Sequence, residues 1–150
     1  MSSPRLTTGR FSEHGLIYSI TTVCYRRYPL FLDTSAVDAV AEELQRISQD
    51  RVVENYAWVL MPNHLHWLFL LREGTLAHCM QLLKGRSARS INRLRAGNST
   101  VWQAGYFNHA VRRDDCVQRH ARYIVENPIR SGLAAVVGDY AHAWCAWDIT

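Results

Sequence analysis

"ENYAWVLMPNHLHWLFLL", Glu54 to Leu71, decides how this chain is read. Two apolar, aromatic-rich runs flank Pro62-Asn63, a dipeptide that punctuates strands with a turn. The pattern predicts an antiparallel hairpin whose second strand begins at His64. Residues i and i+2 of a strand project from one face, so His64 and His66 stand side by side, about 7 Å apart at Cα. Leu65 points the other way, into apolar packing. Both imidazoles lie in the most hydrophobic segment of the chain and need polar partners there. Two readings stand: hydrogen-bonded core histidines, or a pair of neutral nitrogens holding one metal ion. A pair is too few for a structural zinc site, which closes with four protein ligands. It leaves positions open for a third protein ligand, water and substrate oxygens.

Working outward, "LIYSITTVCY" (Leu16–Tyr25) reads as a strand, and "YRRYPLF" leads out of it through Pro29. "TSAVDAVAEELQRISQD" (Thr34–Asp50) spaces Val37, Val40, Ala41, Leu44 and Ile47 as one face of a helix, with Ser35 and Asp38 placed as a capping box. Beyond the hairpin, "TLAHCMQLLKGRSARSINRLRAG" (Thr75–Gly97) predicts a second helix, weakest at Gly85 and ended by Gly97. "GYFNHAVR" (Gly105–Arg112) is a short strand. "DDCVQRHARYIVENPIRSGL" (Asp114–Leu133) predicts a third helix capped by Asp115 and ending at Asn127, because Pro128 disfavours helical geometry in the residue before it. The order is β-α-β-β-α-β-α. Its first six elements are those of an α+β, ferredoxin-like antiparallel sheet with helices on one face; the C-terminal helix is additional. No repeat, low-complexity tract or linker divides residues 1–150, which predicts a single domain.

Composition narrows the function. At 48% hydrophobic and 20% charged residues the chain is ordinary for a globular domain. No apolar run approaches the roughly 18 residues of a membrane span, and the polar "MSSPRLTTGRFSEHG" has no signal-peptide core, so a cytoplasmic location is expected. Cys24, Cys79, Cys116 and Cys145 are too scattered for zinc and read as reduced, mostly packed thiols. The net charge is +4, and of 17 basic residues only Lys84 is a lysine. Arginine's planar fork suits phosphates and guanine edges, so this excess points towards nucleic acid, although arginine-rich coding composition would leave the same mark.

The third helix adds a second constellation. Tyr123 and Asn127 are four residues apart, on one helical face. Asn127 offers a carbonyl oxygen as a third metal ligand, and Tyr123 a phenolic oxygen beside the same ion; the alternative is that Tyr123 packs the helix with Ile124 and Val125. Arg119, His120, Arg122 and Arg130 make the neighbourhood basic.

"MPNHLHWLF" followed by "RYIVENPIRSGL" resembles the single-tyrosine HUH transposases, and among them the REP-associated tyrosine transposases. The resemblance extends to "IYSITTVCYRRYPLF", "LKGRSARSINR" and "VWQAGYFNHAVRRD". It implies Tyr123 as nucleophile, His64 and His66 as ligands of a divalent metal (Mg²⁺ or Mn²⁺), and Asn127 completing that site. It implies cleavage and rejoining of single-stranded or hairpin DNA at REP-type palindromes through a 5′-phosphotyrosine, by a monomer at the bacterial nucleoid, with a homodimer as the other arrangement. Arg26, Arg27, Lys84, Arg86, Arg89, Arg93, Arg112, Arg113, Arg119 and Arg122 are the candidate DNA contacts, and one of Trp102, Tyr106 and Phe107 a candidate for stacking on bases. The sequence departs from the family pattern at Asn108, where an acidic residue is expected, and in the serine-free tail "YAHAWCAW". Two other readings compete: a hairpin-binding regulator without catalysis, and a metal hydrolase using water, for which Glu126 is the nearest carboxylate in sequence.

Overall fold

The computed structural model describes residues 14–112 and 116–148. Strand β1 (Ile17–Val23) is followed by two short 3-10 turns and helix α1 (Thr34–Gln49). The hairpin is β2 (Val53–Met61) and β3 (His64–Leu71), turned at Pro62-Asn63. Helix α2 (Leu76–Leu94), strand β4 (Phe107–Val111), helix α3 (Val117–Val125), a single turn α4 (Asn127–Arg130) and strand β5 (Ala143–Cys145) complete it. The sheet order is β4-β1-β3-β2-β5, and every pairing is antiparallel. The ferredoxin-like core is therefore as expected, while β5 is an edge strand that three short residues of the tail did not signal.

Each face of the sheet has its own core. Helices α1 and α2 cover one, burying Leu44, Ile47, Leu65, Trp67, Phe69 and Leu83 completely. Helix α3 and the tail cover part of the other, closing on Ala57, Val59, Leu68, Ile124 and Val125. A β-bulge at Asn55–Ala57 makes the two cores compatible. Val53 and Asn55 face α1; one extra residue at Tyr56 reverses the alternation, so Val59 and Met61 face α3 opposite His66 and His64. Asn55 secures the bulge, donating from Nδ2 to the Leu44 carbonyl (2.9 Å) and accepting from Trp67 Nε1 (2.8 Å).

Element ends correct three expectations. Asp33, one residue before the helix, caps α1: its Oδ1 accepts from Ser35 N (2.9 Å) and Ser35 Oγ (2.7 Å), so Ser35 lies inside the helix rather than at its cap. Helix α2 runs unbroken through Gly85, because Leu83 and Ser87 on either side are buried and Trp102 Nε1 donates to Ser87 Oγ (3.0 Å). Helix α3 stops at Val125, and Asn127 begins α4 with Pro128 in its first turn, where a missing N–H costs nothing. Cys116 holds the N-cap position of α3 without a side-chain bond; Asp115 lies outside the described residues.

No helix of the described residues is long and apolar enough to cross a membrane. Cys24 and Cys79 are buried free thiols, pushed up to about 12 by desolvation, whereas Cys116 is exposed.

Candidate active site

Period-two geometry on β3 aims His64 and His66 at the face that α3 covers, and Leu65 at the main core. In register, His64 lies between Val23 of β1 and Met61 of β2, and His66 between Thr21 and Val59. Each imidazole has a polar anchor. His64 Nδ1 is 2.8 Å from Asn63 Oδ1; the oxygen can only accept, so the ring proton sits on Nδ1 and the Nε2 lone pair is left for another partner. His66 Nε2 is 3.1 Å from Ser19 Oγ, and its Nδ1 is 3.1 Å from Asn127 Nδ2. Ser19 and Asn63 are the orienting residues that sequence reading missed; nothing about an isolated serine on β1 marks it, and Asn63 reads first as a turn residue.

The contact between His66 and Asn127 joins residues 61 positions apart. Arg130 carries it on to the tyrosine. Its Nη2 donates to Asn127 Oδ1 (3.0 Å) and to the Tyr123 carbonyl (2.6 Å), and its guanidinium carbon lies 3.8 Å from the centre of the Tyr123 ring. Tyr123 is 57% exposed. It is therefore held from one side and open on the other. Glu126 faces Arg122 and Arg130, 3.9 Å from each, so its carboxylate is engaged with cations. His120 on α3 and His109 on β4 approach beside this cluster, ring centres 6.3 Å apart.

Burial lowers the affinity of both imidazoles for protons. His66 is pushed down to about 4, first by desolvation, then by His64 and Arg130; His64 is lowered by burial and by Arg27. Both are neutral at pH 7 and keep their lone pairs. The unfolded chain, with an ordinary histidine near 6.5, takes up a proton at this position as pH falls from 6.5 to 4, and the folded chain does not. Stability is thus fully present above pH 6.5 and drains across that window, by about 3 kcal/mol for His66 alone. Urea midpoints measured in chelator at pH 7.5 and 4.5 should differ less for His66→Gln than for the wild type.

The residues fit a divalent ion. His64 and His66 would be its neutral nitrogen donors, and Asn127, whose Oδ1 accepts from Arg130 and keeps a second lone pair, would supply a third. Among the described residues no three of His, Cys, Asp and Glu converge, so asparagine would be needed as third donor.

The proposed DNA contacts divide. Arg26 and Arg27 are both left-handed (φ 55° and 56°) in a tight turn after β1, close enough to His64 for Arg27 to act on it. Arg119 and Arg122 are exposed on α3, and Arg112 is exposed after β4; Arg113 lies outside the described residues. Lys84, Arg86, Arg89 and Arg93 sit on α2, across the sheet from the histidines. Two of these four have internal partners: Lys84 Nζ donates to the carbonyls of Gln103 (2.9 Å) and Gly105 (2.8 Å), and Arg86 lies 3.7 Å from Glu43 and 3.8 Å from Asp50. Of the three aromatics, Trp102 is buried, Tyr106 packs against the core and Phe107 is 67% exposed.

Residues 12–127 match the family model described as transposase IS200 like. The chain belongs to that family. It is 27% identical over 121 residues to a REP-associated tyrosine transposase of Escherichia coli K12, covering 79% of this chain and 70% of that one. A Haemophilus influenzae relative is 26% identical over 144 residues, 89% of this chain and 81% of its own. A solved structure of a REP-associated tyrosine transposase bound to a REP hairpin superposes with a TM-score of 0.75 at 25% identity, covering 95% of this chain and 82% of that one. The IS200-like match spans both the histidine pair and the Tyr123–Asn127 segment, so the two constellations that meet in space fall within one family signature.

Proposed function

We propose that this transposase-family protein is a metal-dependent single-strand DNA endonuclease and strand transferase, with Tyr123 as nucleophile and hairpin DNA of the REP type as substrate. The observation that carries this reading is the chain of contacts from His66 through Asn127 and Arg130 to Tyr123. It links the proposed ion-holding residues to an exposed phenol, and the solved relative bound to a REP hairpin supplies the substrate class.

A divalent ion held by His64, His66 and Asn127 supplies Lewis-acid polarisation of the scissile phosphate. The rest is done by this chain. Tyr123 Oη attacks phosphorus, and the bond to the departing 3′ oxygen breaks; the products are a 5′-phosphotyrosine and a strand ending in 3′-OH. Attack by the 3′-OH of another strand reverses the exchange and frees the phenol, one phosphoester replacing another at each step. No phosphate-binding loop for a nucleotide triphosphate is needed, and the sequence has no GxxxxGK[ST]. Arg130 positions both Asn127 and Tyr123, while Asn63 and Ser19 hold the two imidazoles in their rotamers. Glu126, engaged by two arginines, is poorly placed as the base of a water-using hydrolase.

The test is a denaturing gel of protein mixed with a 5′-labelled hairpin oligonucleotide and its label-reversed counterpart in Mn²⁺. A protein band should acquire label from the 3′-labelled strand only, and only in the presence of metal, because the fragment 5′ of the cut leaves with its 3′-OH; His64→Ala should lose the band. Binding without any adduct, across metals and hairpins, would leave a non-catalytic hairpin-binding regulator. Arg130→Ala should slow adduct formation about 10- to 100-fold with a smaller change in hairpin affinity, and Arg130→Lys should not restore it, because one ammonium cannot hold both partners and stack on the ring. Single-turnover rates on saturating DNA decide this.

A further inference from the structure

Among the described residues helix α3 packs mainly over β2, β3 and β5; at the β1–β4 end of the same face His109 approaches His120 of α3, while Phe107 at the start of β4 stays 67% exposed. On this face a row of cross-strand partners runs from His66 on β3 to Thr21 on β1 to Phe107 on β4. With strands about 4.8 Å apart, Phe107 stands roughly 10 Å from His66 at Cα and on the same side of the sheet. A lone exposed aromatic needs no explanation. Phe107 differs because it also walls a cavity of about 260 Å³ that opens directly beside the histidine row, floored by Thr21 and Val23 and closed by residues Gln103 to Tyr106.

The far wall is held in place. Gln103 N donates to the Val23 carbonyl (2.8 Å), Trp102 forms a bridge to Cys24, and the Lys84 ammonium, drawn out of solvent, ties down the carbonyls of Gln103 and Gly105. A lysine spent on two loop carbonyls behind a cavity is hard to explain as loop packing alone, since the loop is already anchored to β1. The volume admits one planar heterocycle, and the lining includes an aromatic side chain, Phe107, and an amide side chain, Gln103, whose chemistry offers both a donor and an acceptor.

We propose that this cavity receives one unpaired base of the DNA strand next to the scissile phosphate, with Phe107 as its stacking platform and Lys84 as the residue that positions the opposite wall. The inference rests on the reading of the site as a DNA strand transferase, and it assigns the element that selects where the strand is cut. Stacking on one aromatic side chain changes affinity by about tenfold.

Its test is equilibrium binding, in chelator so that nothing is cut, of a hairpin oligonucleotide with unpaired flanks and an abasic site placed at each flanking position in turn. Wild-type protein should lose about tenfold at one position adjoining the cleavage site. Phe107→Ala should lose the same factor on the intact strand and become indifferent to that abasic site, and Phe107→Tyr should restore both. 2-Aminopurine at that position should be quenched by the wild type and not by Phe107→Ala. An abasic penalty that persists undiminished in Phe107→Ala, or wild-type affinity in that variant, would overturn the pocket while adduct formation by the wild type keeps the strand-transfer reading. A wild-type protein that neither binds hairpins nor forms an adduct would remove both.

Discussion

Tyr123→Phe is expected to abolish the covalent protein–DNA adduct and to lower strand cleavage at least a thousandfold, while hairpin affinity stays within about twofold of the wild type. The asymmetry follows from what the residue touches. Tyr123 is 57% exposed, so its hydroxyl contributes little to folding. Its ring lies against the Arg130 guanidinium, and its carbonyl accepts from the same side chain; phenylalanine keeps both contacts. Only the nucleophilic oxygen is lost. Adduct yield on a denaturing gel, cleavage rate under single-turnover conditions and hairpin affinity in chelator are the three readouts. Cleavage that survives in Tyr123→Phe without an adduct would replace the tyrosine by water and sink the strand-transfer mechanism.

Trp67→Ala should be the most damaging substitution for the fold, at about 3–5 kcal/mol. Among the described residues Trp67 is the largest completely buried side chain, with its ring centre 4.0 Å from that of Phe69. Its indole N–H is also the partner of Asn55 Oδ1 at the β-bulge, so truncation leaves a cavity and an unmet acceptor together. A domain of this size is stable by about 5–15 kcal/mol, so the loss is a large share of the whole. Chemical denaturation should show the midpoint falling steeply, or no folded baseline at all. Trp67 lies next in sequence to His66 on the opposite face of β3, so metal-dependent cleavage should fail with the fold. Phe107→Ala, on an exposed edge, provides the contrast: an unchanged midpoint with altered DNA selectivity.

Much of this was legible in the chain itself, for local reasons. Alternation in "HLHWLFLL" separates the imidazoles from Leu65 and Trp67 whatever surrounds them, because a strand has no other way to place i and i+2. Pro62-Asn63 turns the hairpin, and the spacing of Val37, Val40, Leu44 and Ile47 makes α1. The pairing of "MPNHLHWLF" with "RYIVENPIRSGL" pointed to the family that the match over residues 12–127 establishes. Helix ends were read less well, since Asp33 competes with Ser35 for the cap and only backbone geometry decides between them.

Other features had no local signature. The bulge at Tyr56 reverses a strand's faces midway, so alternation counted from Val53 would have turned Val59 and Met61 to the wrong side. The tail forms β5 because Leu60 N finds the His142 carbonyl and Tyr140 Oη donates to the Leu60 carbonyl, partners some 80 residues away. Charge is where sequence and structure diverge most. Sixteen arginines and one lysine look alike as DNA contacts in a string of letters, yet packing commits Lys84 to a loop, Arg86 to two carboxylates and Arg130 to the tyrosine.

The chain's letters by themselves determined the elements, their order and the side-by-side histidines, since these follow from backbone periodicity over a few residues. The tertiary structure alone decided that His66 meets Asn127, that Arg130 ties Asn127 to Tyr123, and that Phe107 stands bare beside them. Those facts depend on which face α3 covers and which it leaves open, a choice made by two buried surfaces closing on each other across the whole length of the chain.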